Sequence, residues 1–228
     1  MLRKWEDLPS YMQTEEVRPY YDRLKKKTFS LLFKRLFDIA LALIMLIVLS
    51  PVMIVIAIFI VIDSKGGVFF RQERVTQYGK VFRIHKFRTM IADADKKGAE
   101  VTMKDDVRVT KVGKKIRKCR LDELPQLFDI LAGNMTFVGT RPETRKYVKE
   151  YQPIMYATLL LPAGVTSEAS ILYKDEEKLL EDADNVDVVY VNQILPEKMK
   201  YNLRSLEKFS FLGEVGIMFS TVVAVLKK

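Results

Sequence analysis

The chain has 228 residues, a formal net charge of +9 from 38 Lys and Arg against 29 Asp and Glu, one cysteine and one histidine. Cys119 alone excludes an intrachain disulfide and points to a reducing compartment for the polar part, while a single histidine, His85, excludes a His-rich metal site. The length admits a membrane element plus one globular domain, and the basic balance suits anionic lipid headgroups and phosphate-bearing ligands; no nucleic-acid-binding motif is present.

Residues 1–33 form a basic extension with scattered aromatics, among them Trp5, Tyr11, Tyr20, Tyr21 and Phe29. Tyr20, Leu24, Leu31 and Phe33 punctuate its lysines and arginines, which reads either as an interfacial amphipathic helix or as a mobile N-terminal extension. Residues 34–63 carry the dominant feature of the chain. Leu36 to Ile62 is apolar over about 27 residues, where a membrane span needs roughly 20. Lys25, Lys26, Lys27, Lys34 and Arg35 precede the run, and Asp63, Ser64 and Lys65 end it. It starts too late and is too long for a cleaved signal core. At its centre stands Ser50-Pro51. Proline lacks the backbone donor and kinks a helix, and a neighbouring serine hydroxyl can satisfy the carbonyl so freed. Two topologies fit: a single kinked span, or a helix that enters, breaks at Ser50-Pro51 and returns to the same face. Halves of about 13 residues suit a re-entrant leg, and basic flanks on both sides suit two ends facing the cytoplasm. Asp38 should sit at the interface or pair with Lys34 or Arg35.

Residues 64–228 read as the globular part, closed by an interfacial helix. Val68–Val75 and Lys80–Phe87 flank Thr76-Gln77-Tyr78-Gly79 and predict a β-hairpin, with Phe82 and Ile84 on one face and Arg83 and His85 on the other. Residues 91–106 are polar surface. Arg117 to Leu131 has helical spacing, with Leu124, Leu127, Phe128 and Leu131 on one face and Gly133-Asn134 as the stop. Gly139 to Pro142 and Pro162 to Thr166 read as loops. Glu143 to Leu161 reads as a helix interrupted at Pro153, Pro196 opens a helix to about Lys208, and Phe209 to Lys228 reads as an interfacial helix. The predicted fold is α+β and mostly helical, with a small β-hairpin and a membrane helix broken at its centre.

Asp122-Glu123 is the central chemical candidate. Pro125 fits only the first turn of a helix, so the pair sits at a helix N-terminus, where acidic side chains serve as ordinary caps. The surroundings offer a second role. Lys114, Lys115, Arg117, Lys118 and Arg120 precede the pair and Arg141 follows it. A carboxylate nucleophile attacking phosphorus needs such cations, because the phosphate is itself anionic. A second carboxylate can hold a divalent ion that bridges phosphate oxygens. Lys86 and Arg88, two apart at a strand end, share a face that could grip a diphosphate or be an ordinary basic surface. The acidic stretch Asp175, Glu176, Glu177, Glu181, Asp182, Asp184 reads as a solvated helix face.

Taken in order, Lys34-Arg35-Leu36-Phe37-Asp38, Ser50-Pro51, Phe70-Arg71-Gln72-Glu73-Arg74, Lys86-Phe87-Arg88-Thr89-Met90, Leu121-Asp122-Glu123-Leu124-Pro125-Gln126-Leu127 and Gly139-Thr140-Arg141-Pro142-Glu143 resemble the bacterial sugar transferases. These are small monotopic polyprenyl-phosphate phosphoglycosyl transferases. The resemblance runs from about residue 32 to the C-terminus. The chain departs from the commonest pattern at Thr140, where proline is frequent, and at Pro162-Ala163-Gly164-Val165-Thr166-Ser167, where Pro-Gly-Ile-Thr-Gly is usual.

The resemblance implies a re-entrant membrane helix and a catalytic domain on the cytoplasmic face of a bacterial plasma membrane. It implies that Asp122 attacks the sugar-bearing phosphate of a UDP-sugar, releases UMP and keeps the phosphosugar. A polyprenyl phosphate then takes the phosphosugar, the initiating step of a membrane-linked glycan. Mg²⁺ is implied at Asp122 and Glu123, and phosphate or nucleotide contacts at Lys86, Arg88, Arg117 and Arg141. The implied partners are the UDP-sugar, the polyprenyl phosphate and membrane lipids; self-association into a homo-oligomer stays open. The residues alone also allow a non-catalytic basic module that binds anionic lipid or a protein, and a transferase or hydrolase acting on another phosphate ester.

Overall fold

The computed structural model describes residues 2–92, 94, 106–174, 176–180 and 185–227. Most of the predicted polar surface segment 91–106, and Asp175, Glu181, Asp182 and Asp184 of the acidic stretch, lie outside the described residues.

The architecture is mostly helical and is organised around one helix. After a short helix α1 (Arg18–Lys25), α2 runs Thr28–Asp63 as one 36-residue element with Pro51 inside. The expected break at Ser50-Pro51 therefore does not end the helix. The reason is local: proline removes the donor that would serve the carbonyl of Ile47, and the Ser50 hydroxyl donates to that carbonyl at 2.9 Å.

Both halves of α2 bury one face against the same body. Ala42 packs with Phe82, Ile84, Leu127 and Ile130, and Met53, Ile56 and Ile60 pack with Phe87 and Ile116. The opposite face leaves Ile44, Ile47, Val48, Ile54, Val55, Ile58, Phe59 and Ile62 exposed. Both ends are tied down. At the start, Lys34 donates to the Val138 carbonyl at 3.1 Å and Arg35 to that of Ile130 at 2.7 Å. At the end, Arg88 donates to the carbonyls of Ser64 and Lys65 at 2.7 and 2.6 Å, and the Val112 amide donates to Asp63 at 2.8 Å. The expected pairing of Asp38 with Lys34 is present at 3.7 Å, both buried, and Lys34 also meets Glu214 at 2.6 Å.

The hairpin forms as predicted: β1 (Phe69–Val75) pairs antiparallel with β2 (Val81–Phe87), turning through Tyr78 and Gly79, both with positive φ. Phe82 and Ile84 are buried on the face foreseen. A second sheet was not foreseen. β3 (Met135–Val138) lies parallel to β4 (Ala163–Thr166), where a loop was expected. The two chains approach so closely there that a Cβ on Gly164 would stand 2.2 Å from the Gly139 amide nitrogen.

The single helix expected over Arg117 to Leu131 is divided into α3 (Lys111–Lys118), a 3₁₀ turn at Leu121–Glu123 and α4 (Gln126–Leu131). Arg120, at φ 56°, makes the reversal between the first two. The helix expected from Glu143 reduces to α5 (Arg145–Val148) and a 3₁₀ run Pro153–Leu160. Three short helices follow: α6 (Glu168–Leu172), α7 (Glu176–Leu179) and α8 (Val186–Val189). A π turn at Tyr190–Ile194 leads into α9 (Leu195–Glu207), with Pro196 in its first turn as expected, and α10 is Phe211–Leu226.

The N-terminal segment differs from both readings offered for it. Met12, Val17, Tyr21 and Leu24 are buried against Ala157, Leu160, Leu206 and Phe209, and Lys27 donates to the Phe209 carbonyl. The apolar face of α1 is thus consumed by the protein's own core, where burying aromatic and aliphatic side chains stabilises docking.

Candidate active site

Asp122 and Glu123 lie in the 3₁₀ turn that leads, through Pro125, into α4. The N-cap position of α4 is Pro125, which makes no side-chain cap bond, so the pair lies just ahead of the cap. The two side chains have opposite surroundings. Glu123 accepts from Arg141 Nη2 at 2.6 Å and from Lys86 Nζ at 3.0 Å, and Arg120 stands 3.8 Å away. Asp122 is buried, and its Oδ1 has no hydrogen-bond partner.

The electrostatics follow from this contrast. Burial and then the neighbouring charge of Glu123 push the Asp122 pKa up, while Lys86, Arg117 and Arg120 oppose the rise. Burial would also raise Glu123, but Arg141 and Lys86 outweigh it and hold that carboxyl well below its ordinary value. Lys86 is lowered chiefly by burial, with Glu123 working against the change. Arg141 is raised chiefly by Glu123. At neutral pH the result is one carboxylate locked into ion pairs and one left with an unengaged oxygen.

Two cavities meet beside this pair. One, of about 590 Å³, is largely apolar and runs between α2, α4 and α10, lined by Phe37, Leu41, Met45, Leu127, Met218 and Val222 among others. The other, of about 210 Å³, is polar, with Arg74, Arg117, Arg120, Arg141, Lys174 and Lys198 in its wall. Arg120, Arg141, Ser170 and Lys174 line both, and Glu123 lines the apolar one.

The structure therefore brings Asp122, Glu123, Lys86, Arg117 and Arg141 together. Arg88 is placed elsewhere: it is buried against the end of α2 and bonded to the Ser64 and Lys65 carbonyls. Ser50 and Pro51 lie in the membrane-type helix, away from both cavity walls. Lys174, Tyr190 and Lys198 join the polar cavity without having been singled out from the sequence, and Arg74 and Glu143, quoted there only as parts of motifs, join it too. Lys198 donates to Tyr190, which donates to Glu143, in a buried chain that spans 55 residues and has no local sequence signature.

The implied divalent ion would have Asp122 Oδ1 as its one unengaged carboxylate oxygen here, because Glu123 is bonded to Arg141 and Lys86. Among the described residues no group of three or more ligating side chains forms a closed metal site. The unengaged Asp122 oxygen next to Glu123 instead offers one or two carboxylates, the usual protein share for Mg²⁺ on a phosphate substrate.

Residues 29–228 match the family described as bacterial sugar transferase. A UDP-N-acetylgalactosamine-undecaprenyl-phosphate N-acetylgalactosaminephosphotransferase of Aeromonas hydrophila is 35% identical over 197 residues, covering 85% of this chain and 43% of that protein. UDP-glucose:undecaprenyl-phosphate glucose-1-phosphate transferases of Klebsiella pneumoniae and Escherichia coli are 35% and 33% identical, over 85% and 84% of this chain and 40% and 39% of theirs. The chain spans less than half the length of these three relatives. With a paired carboxylate at the meeting point of a cationic and an apolar cavity, and a family match over nearly its whole length, the chain belongs to the bacterial sugar transferase family.

Proposed function

We propose that this protein transfers a phosphosugar from a UDP-sugar to a polyprenyl phosphate through an intermediate on Asp122. One observation carries the reading: Glu123, the neighbour of Asp122 in one 3₁₀ turn, lines an apolar cavity that shares Arg120 and Arg141 with a cation-lined polar one. The polar cavity suits the nucleotide sugar and the apolar cavity suits a prenyl chain. In the first step an Asp122 carboxylate oxygen attacks the sugar-bearing phosphorus, the bond to the bridging oxygen breaks, and UMP leaves with that oxygen's electrons. In the second step a phosphate oxygen of the lipid attacks the same phosphorus and the Asp122 carboxylate departs. Lys86 and Arg141 hold Glu123 and lend positive charge to the reacting phosphates, and Arg117 adds charge from α3. Arg88 is assigned a positioning role, holding β2 to the end of α2. Mg²⁺, if bound by Asp122 and Glu123, would supply charge neutralisation on the diphosphate.

The family's members differ in the sugar their names carry, so the sugar transferred is left to experiment. A monotopic seat on the membrane is part of the proposal. It is supported by the attachment of both ends of α2 to one body and by the exposed apolar faces of α2 and α10. The test is a panel of UDP-sugars assayed for UMP release with undecaprenyl phosphate and Mg²⁺, followed by analysis of the lipid fraction. Release of UMP with a lipid-linked diphosphate sugar supports the reading. Free sugar phosphate as the sole product would make the protein a hydrolase, and no UMP from any donor would sink it.

A further inference from the structure

Arg120 is one of two non-glycine residues with positive φ among the described residues; the other, Tyr78, sits in the hairpin turn. At φ 56° and ψ 19° its backbone is left-handed, a conformation that Cβ disfavours and that glycine or asparagine adopts with less strain. A turn needing only this reversal would be better served by glycine. Strain of this kind, next to a reactive group, points to a role for the side chain.

The location indicates which role. Arg120 immediately precedes the Leu121–Glu123 turn, and its side chain lines both cavities. Its guanidinium stands 3.8 Å from Glu123 Oε1, beyond hydrogen-bond reach, and that oxygen already accepts from Arg141 and Lys86. Arg141, the other arginine at the joint, is committed to Glu123. Arg120 is about two-fifths exposed and able to turn toward an arriving anion.

We propose that Arg120 is a catalytic residue of the second half-reaction, receiving the phosphate of the lipid acceptor; this rests on the function proposed above. The acceptor enters as a deprotonated phosphate monoester. One of its oxygens forms the new bond to the sugar-bearing phosphorus as the bond to Asp122 breaks, and the electron pair returns to the carboxylate. Arg120 holds the acceptor's non-attacking oxygens in a charge-assisted, bidentate contact.

The experiment uses the full chain in detergent micelles, as wild type, Arg120→Gly and Arg120→Lys. It measures UMP released in a single turnover without acceptor, steady-state kinetics with undecaprenyl phosphate titrated, and thermal unfolding. Expected for Arg120→Gly, at a pH where Asp122 is fully ionised, is a loss in kcat/KM for undecaprenyl phosphate at least about tenfold greater than its loss in acceptor-free UMP release, as for one charge-assisted contact made only to the acceptor. Its unfolding temperature should match or exceed that of wild type, because the strain is relieved. Arg120→Lys should recover part of the acceptor step without that gain. Should Arg120→Gly not fold, Arg120→Asn takes its place. Equal losses in both half-reactions, or no loss in the acceptor step, overturn the assignment. If wild type releases no UMP without acceptor, the covalent reading itself fails and the assignment fails with it; a wild-type burst with an unaffected variant overturns Arg120 alone.

Discussion

Arg141 Nη2 stands 2.6 Å from Oε1 of Glu123, the oxygen that also accepts from Lys86 at 3.0 Å. One carboxylate therefore holds together a strand end, the 3₁₀ turn bearing Asp122, and the loop after β3. Removing its charge leaves Lys86 and Arg141 close together without the carboxylate they are bonded to. Glu123→Gln is expected to destabilise the fold by about 2–3 kcal/mol at neutral pH. Added UMP or phosphate should raise the unfolding temperature of the variant more than that of wild type, by supplying the missing anion. The pH dependence has a fixed sign. Because the folded-state pKa of Glu123 lies well below the ordinary 4.5, its contribution is fully present above that value and is lost as pH falls through the folded pKa. The stability gap between wild type and Glu123→Gln should be constant at neutral pH and close only below pH 4.5. A gap that closes already near neutrality would show that the ion pairs do not operate in solution.

Asp122 has the opposite sign. Its pKa is raised above the ordinary 3.8, so the fold favours its protonated form and the residue costs stability as pH rises through that raised value. Asp122→Asn should abolish UMP release while unfolding at the wild-type temperature or higher at pH 7.5. The acid limb of the wild-type rate profile should lie above pH 3.8. In Lys86→Met any residual activity should show that limb moved to higher pH, because Lys86 lowers the Asp122 pKa. Turnover above a few percent in Asp122→Asn would remove it from the role of nucleophile.

The cations divide into two groups. Arg117→Ala and Arg141→Ala should raise KM for the UDP-sugar or lower kcat by at least about tenfold. Lys149→Ala, exposed beyond α5, should change neither. Arg88→Ala should behave differently from both. It loses two bonds to the carbonyls that follow α2, so it should cost about 2 kcal/mol of stability while KM stays within about twofold. A large KM change in Arg88→Ala with unchanged stability would place it on the substrate.

The seat in the membrane is testable with the single native cysteine removed. In a Cys119→Ser background, Leu2→Cys and Lys227→Cys should both react with a membrane-impermeant thiol reagent only from the cytoplasmic side. Ser50→Ala with Pro51→Leu restores the missing donor to Ile47 and yields an unbroken apolar helix long enough to cross a bilayer of roughly 30 Å. Part of that population should expose residue 2 outside and be inactive, because Tyr21 and Leu24 can then no longer pack on Ala157 and Leu160. Labelling of residue 2 from outside in the parent would establish a plain span.

What could be read from the sequence and what could not divide along physical lines. The hairpin was legible because Tyr78-Gly79 punctuates two β-rich runs, and α9 because Pro196 marks its first turn. The role of Ser50 was legible because proline's missing donor is a local fact. Asp122, Glu123, Lys86, Arg117 and Arg141 were singled out by charge, spacing and family likeness, and the fold places them near one another. β3 and β4 escaped because four-residue strands whose partners lie 28 residues away carry no period of their own. Arg88 was misplaced by assuming strand alternation beyond Phe87, where β2 ends. Lys174 and Lys198 escaped because nothing local distinguishes them from surface cations; only tertiary folding turns them to one cavity. The apolar positions of α1 were visible, but whether they meet lipid or protein depends on residues more than a hundred positions away.

That last distance has a consequence for how the protein is made. Translation delivers α1 before α2, yet the surface that receives Tyr21 and Leu24 is assembled from Ala157, Leu160, Leu206 and Phe209. The acceptor of Lys27's ammonium, the Phe209 carbonyl, lies 182 residues downstream. The apolar stretch of α2 leaves the ribosome long before any of these exist, so it emerges while the segment before it is still undocked. The helix that precedes α2 is among the last to find its place, and a chain halted after β4 would offer it Ala157 and Leu160 but neither Leu206 nor Phe209.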